Sequence, residues 1–276
     1  MKLERPFPSR DQLSVITAAI VLAYALARFL ELPQRLVTTT LFGSALGFEL
    51  SGPFLMRGCT AALIAAGSEM IIRAHPLFAG QPARRTLIHW ILPGATALVM
   101  GAALNHAAST TLWWLVLGFT VVALGVVLIA EYIVVDPHDP RREVAALALT
   151  TLAYLLALIL FFLLRRLGAR AAISATVGGG LAAALSLRLF ALKFAPLWRS
   201  ALYAAFVGLI CAEAIWALNY WAISPTGGAL LTMLPFYLGE GLAEHHLLGR
   251  LTRRIWIEFG AIGAVVLALA LVWGRG

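Results

Sequence analysis

TLWWLVLGFTVVALGVVLIAE, Thr111 to Glu131, runs through 21 residues and meets its only ionisable group at the last one. At 1.5 Å per residue such a run spans a hydrocarbon core of roughly 30 Å. Lipid offers no partner to a backbone amide, so the segment satisfies its N–H and C=O groups internally, as a helix. The same pattern of about 18 to 22 apolar residues recurs along the chain. Nine spans are predicted: 13–30, 53–72, 86–104, 111–131, 145–164, 171–190, 201–221, 229–247 and 255–273. The connections are short, which leaves one integral membrane domain over residues 1–276, an all-α polytopic bundle.

Composition agrees. The chain is 61% hydrophobic and only 12% charged, with a mean hydropathy of +0.90; a soluble domain is about half apolar and a quarter charged. The net charge of +8 would suggest nucleic acid in a soluble protein, but here Lys and Arg collect in the loops between apolar runs. That distribution excludes a nucleic-acid partner and reads as an orientation signal and as contact with anionic lipid headgroups. Basic residues in the N-terminus and in the 73–85, 132–144, 191–200 and 248–254 loops place the N-terminus in the cytoplasm, in the plasma membrane. Trp113, Trp114, Trp221 and Trp273 then mark one interface and Trp90, Trp198 and Trp256 the other. Arg165, Arg166 and Arg170 break the rule and are expected to snorkel to headgroups. Lys2, Arg5 and Arg10 precede an Ala25-Leu26-Ala27 sequence resembling a cleavage site, but Arg28 follows at once and an uncleaved first helix is expected. Cys59 and Cys211 lie in apolar runs and read as small buried residues without a disulfide framework.

Residues 36–50, LVTTTLFGSALGFEL, combine β-branched residues with a Phe-Gly-Ser break and suggest a small outer β-hairpin, with a short interfacial helix as the alternative. A duplication is also suggested. Asn105 and Asn219, Pro82 and Pro196, and Arg85 and Arg199 lie at one offset, and Glu131 and Glu244 at nearly the same one. One leading span followed by two four-span units, 53–164 and 171–273, would form a parallel repeat.

Arg73-Ala74-His75-Pro76, the run from Ala130-Glu131-Tyr132 through Asp139-Pro140-Arg141-Arg142, and Ala217-Leu218-Asn219-Tyr220-Trp221 resemble an uncharacterised family of bacterial multi-pass membrane proteins of Chloroflexota-type genomes. The resemblance covers most of the chain. It implies a multi-pass architecture in a bacterial membrane; the family has no assigned activity, cofactor or site, so no chemistry is carried over.

The densest ionisable stretch is GEGLAEHHLLGRLTRR, Gly239–Arg254. Charged groups inside spans are costly and default to functional hypotheses. Glu69, His89, Glu131, Glu244, His245, His246 and Glu258 fall near the expected cytoplasmic interface, where solvation and pairing with Arg73, Arg141, Arg253 and Arg254 make them cheap. Glu213 and Glu240 lie deeper, on consecutive helices. They are expected to face each other or a shared polar cavity, with Asn105 and Asn219 as further intramembrane polar groups. Glu240 and Glu244 share a helical face that His245 and His246 do not, so a four-ligand metal site on one helix is geometrically poor. No nucleotide, hydrolase or metalloprotease fingerprint is present, and no cofactor is identified. Ser174, Gly178, Ala182 and Ser186 form a small-residue stripe for helix packing. Three readings follow: a small-solute or ion transporter-like protein using Glu213 and Glu240, a structural or assembly subunit with membrane-protein partners, and a lipid-acting enzyme built on Glu244, His245 and Glu258. The non-enzymatic readings are preferred.

Overall fold

The apolar runs fold into helices close to where hydropathy and length place them. The computed structural model describes residues 10–29, 35–41, 44–50, 52–78, 86–193 and 197–273. Among them are nine α-helices: α1 (Arg10–Phe29), α2 (Gly52–Arg73), α3 (Ile91–Asn105), α4 (Thr110–Val134), α5 (Arg142–Arg166), α6 (Ala171–Lys193), α7 (Leu197–Asn219), α8 (Pro225–Leu247) and α9 (Arg253–Trp273). Strands β1 (Arg35–Leu41) and β2 (Ser44–Leu50) pair antiparallel, Arg35 opposite Leu50. Pro82, Arg85 and Pro196, used in the duplication argument, and Lys2 and Arg5 lie outside the described residues.

Among the described residues, seven helical segments, running from α1 to α7, are long and apolar enough to cross a membrane. α8 falls short of that measure, diluted by Thr226, Thr232, Pro235, Glu240, Glu244 and two histidines. Many large apolar side chains point outward, among them Val15, Leu115, Phe119, Val122 and Leu147, as lipid-facing surfaces require.

The chain divides inside α5 into two compact units, residues 1–149 and 150–276. This division is not at the 164–171 junction on which the repeat was drawn. The first unit packs Ile16, Ile20 and Tyr24 of α1 against Ile64 and Ile71 of α2 and Leu117, Leu124 and Leu128 of α4. Tyr24 turns its hydroxyl inward and donates to the Ala97 carbonyl at 2.8 Å. That satisfies a polar group which lipid could not. Cys59 is exposed rather than buried as expected, because it lies on the outer side of α2; Cys211 is buried.

In the second unit α6 and α7 approach until little besides backbone separates them. A Cβ on Gly179 would stand 2.8 Å from the Gly208 carbonyl, and one on Gly208 would stand 2.7 Å from the Gly179 carbonyl. Without a hydrophobic drive between helices in lipid, such close van der Waals contact is what holds them. The small-residue stripe Ser174, Gly178, Ala182 and Ser186 is buried along α6. α8 begins with Ser224, whose Oγ accepts from Gly227 N–H at 3.1 Å, and Pro225. It ends at Gly249, whose φ of 64° lets Arg250 N–H return to the His245 carbonyl at 3.0 Å. That is a Schellman closure.

Candidate functional site

In the first unit the carboxylates expected to be solvated at an interface are instead roofed by protein. A 3-10 turn at Leu87–Trp90 brings Thr86, His89 and Trp90 over the ends of α2 and α4. Glu69 accepts from Thr86 Oγ1 at 2.7 Å and Trp90 Nε1 at 2.6 Å, and pairs with Arg73 one turn on. Glu131 is 0% exposed, and His89 Nδ1 lies 2.7 Å from its Oε2. In the loop after α4 the Arg141 guanidinium donates to Asp139 at 2.7 and 3.0 Å, which pushes its pKa up. Phe78 stands edge-on to His89 and Tyr132 edge-on to His75. His75 is buried, its Nδ1 accepts from Leu77 N–H at 3.2 Å, and burial pushes its pKa down while the Asp136 charge opposes.

The second unit holds the other set. Glu240 sits on α8 between two glycines that each meet a different helix. Gly239 faces Val207 of α7, and a Cβ on Gly241 would collide with the Phe259 ring of α9 at 2.3 Å. These close approaches seal Glu240 to 3% exposure. Ser186 of α6 faces it, but neither Ser186 Oγ nor Glu240 Oε2 completes a hydrogen bond of normal geometry. Tyr154, Cys211, Lys193 and Glu244 lie within electrostatic reach. One turn along α8, Glu244 pairs with Lys193 at 2.7 Å in a partly exposed bridge, rather than with Arg253 or Arg254. Pro235, inside the helix, lacks the N–H that would bond back one turn, which loosens α8 just before Glu240.

Glu213 does not join this cluster. It is exposed on α7, on the same side as Leu209, Trp216 and Tyr220, which are exposed too. It lines an apolar groove of about 510 Å³ between α6 and α7. The expectation that this face turns inward fails because the opposite face carries the small and buried residues Ser200, Ala204, Gly208 and Cys211 on which α7 packs.

Asn105 is exposed and ends α3. Asn219 ends α7 and donates to the Ile215 carbonyl at 3.0 Å. Beside it, Arg165 does not snorkel. Its guanidinium donates to the Leu218 carbonyl at 3.0 Å and reaches the Ile223 carbonyl at 3.4 Å and Asn219 Oδ1 at 3.5 Å. A cation over the orphan carbonyls of a helix C-terminus is well matched to them. Gly228 makes room, since a Cβ there would stand 2.5 Å from Arg165 Nε. Glu258 pairs with Arg254 on α9, His245 stands edge-on to Phe259, and His246 leans on Tyr203. Glu244, His245 and Glu258 are thus engaged with different partners and are not drawn into one catalytic group.

Sequence reasoning gave no site role to Arg188, 1% exposed on α6, nor to Tyr154 and Thr86, and it read Ser186 only as a packing position and Trp90 only as an interface marker. For Arg188 a signal existed: it is a charge within an apolar span. The others are ordinary residues whose role emerges only from packing. Among the described residues no three His, Cys, Asp or Glu side chains converge as a metal would need.

Long apolar helices with carboxylates buried between them define a multi-pass membrane protein. Residues 32–273 match the family described as protein of unknown function DUF5656, and the chain belongs to that family. No curated protein and no solved structure matches it.

Proposed function

We propose that this is a proton-coupled transporter-like protein for a small solute or ion, with Glu240 as the group that takes up and releases the proton. One observation carries this reading: Glu240 is sealed between α6, α7, α8 and α9 with an oxygen that lacks a hydrogen-bond partner. A buried acceptor left unsatisfied is costly and is retained where it has work to do. Glu244 and Lys193 stand one turn away at a partly exposed edge and form a relay to water. Pro235 and the flanking glycines let α8 flex around the site. Glu213 is left out of the path, which revises the sequence reading.

The basic loops support insertion with the N-terminus cytoplasmic, and the resemblance supports a bacterial cytoplasmic membrane. The recurrence of Asn at the end of α3 and α7, and of Glu near the end of α4 and α8, supports an internal duplication. A second reading, an assembly subunit, rests on the exposed carboxylate of α7.

Liposomes carrying the full chain and an imposed pH gradient test the proposal against a panel of small cations and organic acids. We expect gradient-driven uptake of at least one, abolished by Glu240→Gln with the protein still inserted, and slowed by Glu244→Gln. Uptake unchanged in Glu240→Gln, or none across the panel, contradicts it.

A further inference from the structure

We infer that Glu240 and Ser186 form a sodium-ion site, the ion lying between the two buried side chains. This rests on the reading of Glu240 as an exchanging group and deepens it by naming the ion that takes the place of the proton. Elsewhere in the helices a Thr hydroxyl donates to the carbonyl one turn back: Thr96 to Leu92, Thr120 to Val116, Thr176 to Ala172 and Thr232 to Gly228, at 2.7–2.9 Å. Ser186 is 0% exposed on α6, yet its Oγ makes no such bond to Ala182, nor any other. It faces Glu240 of α8 instead. The carboxylate in turn lacks a counter-ion. Glu69, Glu131, Glu244 and Glu258 pair with Arg73, His89, Lys193 and Arg254. Glu240, 3% exposed, has no ion pair among the described residues, and its Oε2 has no hydrogen-bond partner. Lys193 is within electrostatic reach but is held by Glu244.

The donor set selects the ion. A carboxylate and a hydroxyl are hard oxygen donors, which suit an alkali or alkaline-earth ion rather than a transition metal. Tyr154 of α5 brings a further hydroxyl within electrostatic reach of Glu240. The Cys211 sulfur of α7, also near Glu240, is a soft donor and is left out. One carboxylate balances one positive charge, and a divalent ion would leave a buried charge uncompensated. A bridging water would satisfy both oxygens but neutralise no charge. Size follows from the enclosure. Gly239 packs on Val207 and Gly241 on the Phe259 ring of α9, which leaves room for a small ion stripped of its water. Sodium meets that condition better than the larger potassium ion, since cavity size and ligand number decide between ions of like chemistry.

Ion-dependent stability of the full chain in mixed micelles tests it, with sodium, potassium and choline chlorides at equal ionic strength and alkaline pH. The thermal midpoint should rise with sodium concentration, as binding to the folded state alone requires, and not with potassium or choline. Glu240→Gln should abolish the rise and Glu213→Gln should keep it. Ser186→Ala and the near-isosteric Ser186→Cys should raise the half-maximal sodium concentration at least about tenfold. Their midpoints in choline show whether they fold; if neither does, cation selectivity and Glu240→Gln decide. A rise shared by potassium or choline, as a bridging water alone would give, overturns the inference. So does a rise that survives Glu240→Gln, or a sodium dependence that both folded Ser186 variants leave unchanged. The infrared band of a protonated carboxyl, read in sodium-free lipid, separates this failure from that of the proton reading. A band lost in Glu240→Gln with no sodium effect keeps proton exchange and overturns the sodium site. A missing band with a sodium rise that needs Glu240 supports the site and removes proton exchange.

Discussion

The α3–α4 and α7–α8 hairpins share one layout and differ in what they do with it. In each, an Asn is the last residue of the first helix and a Ser caps the second, Ser109 accepting from Leu112 N–H and Ser224 from Gly227 N–H. In each, a Glu lies three residues before the second helix ends, Glu131 in α4 and Glu244 in α8. Glu131 is then closed over by His89, whereas Glu244 keeps a partly exposed bridge to Lys193. α8 adds Pro235 and, one turn above Glu244, the sealed Glu240. The difference teaches that one hairpin spends its carboxylate on holding helices together, and the other keeps a chain of polar groups from its edge to its interior.

The largest expected effect separates the two carboxylates directly. Glu131→Ala leaves the buried His89 ring without its hydrogen-bond partner and should cost roughly 3 kcal/mol. Glu244→Ala, at a bridge with solvent access, should cost at most about 1 kcal/mol. Reversible unfolding in mixed micelles measures both, and equal losses would erase the distinction. Next, Arg165→Ala should cost about 1.5–3 kcal/mol by uncapping α7 beside the α7–α8 turn. Hydrogen exchange at Ala217–Ile223 should quicken in that variant, and no change there would return Arg165 to a headgroup role.

The smallest effect belongs to the α3–α4 side. Burial holds the His75 pKa below the ordinary histidine value of about 6.5. The folded state therefore binds fewer protons than the unfolded one. The stability this contributes is complete above about pH 6.5 and is lost as pH falls through the folded pKa. Thermal midpoints in detergent should drop on acidification through that window, and His75→Gln should flatten the drop. A wild-type midpoint indifferent to acid would contradict this.

Helix positions were legible because length and hydropathy alone decide them in lipid. The run 171–190 became Ala171–Lys193, longer by Ala191, Leu192 and Lys193, and 229–247 became Pro225–Leu247, longer by the first turn that follows the Ser224 cap. Rotation about each axis was not legible. Glu213 and Glu240 look alike in sequence, yet Gly208 and its small neighbours turn one α7 face inward and leave Glu213 out. Partner choice was equally hidden. Glu131 found a histidine 42 residues earlier in the chain, and Arg165 found carbonyls more than 50 residues later, through contacts that no periodicity encodes.

The central claim is that Glu240 exchanges a proton within the folded protein. Infrared difference spectra of the full chain in lipid, recorded across a pH step, read this from the carbonyl stretch of a protonated carboxyl. The account predicts a band that disappears in Glu240→Gln and persists in both Glu131→Gln and Glu244→Gln. A spectrum with no such band, or one that Glu240→Gln leaves intact, would contradict it.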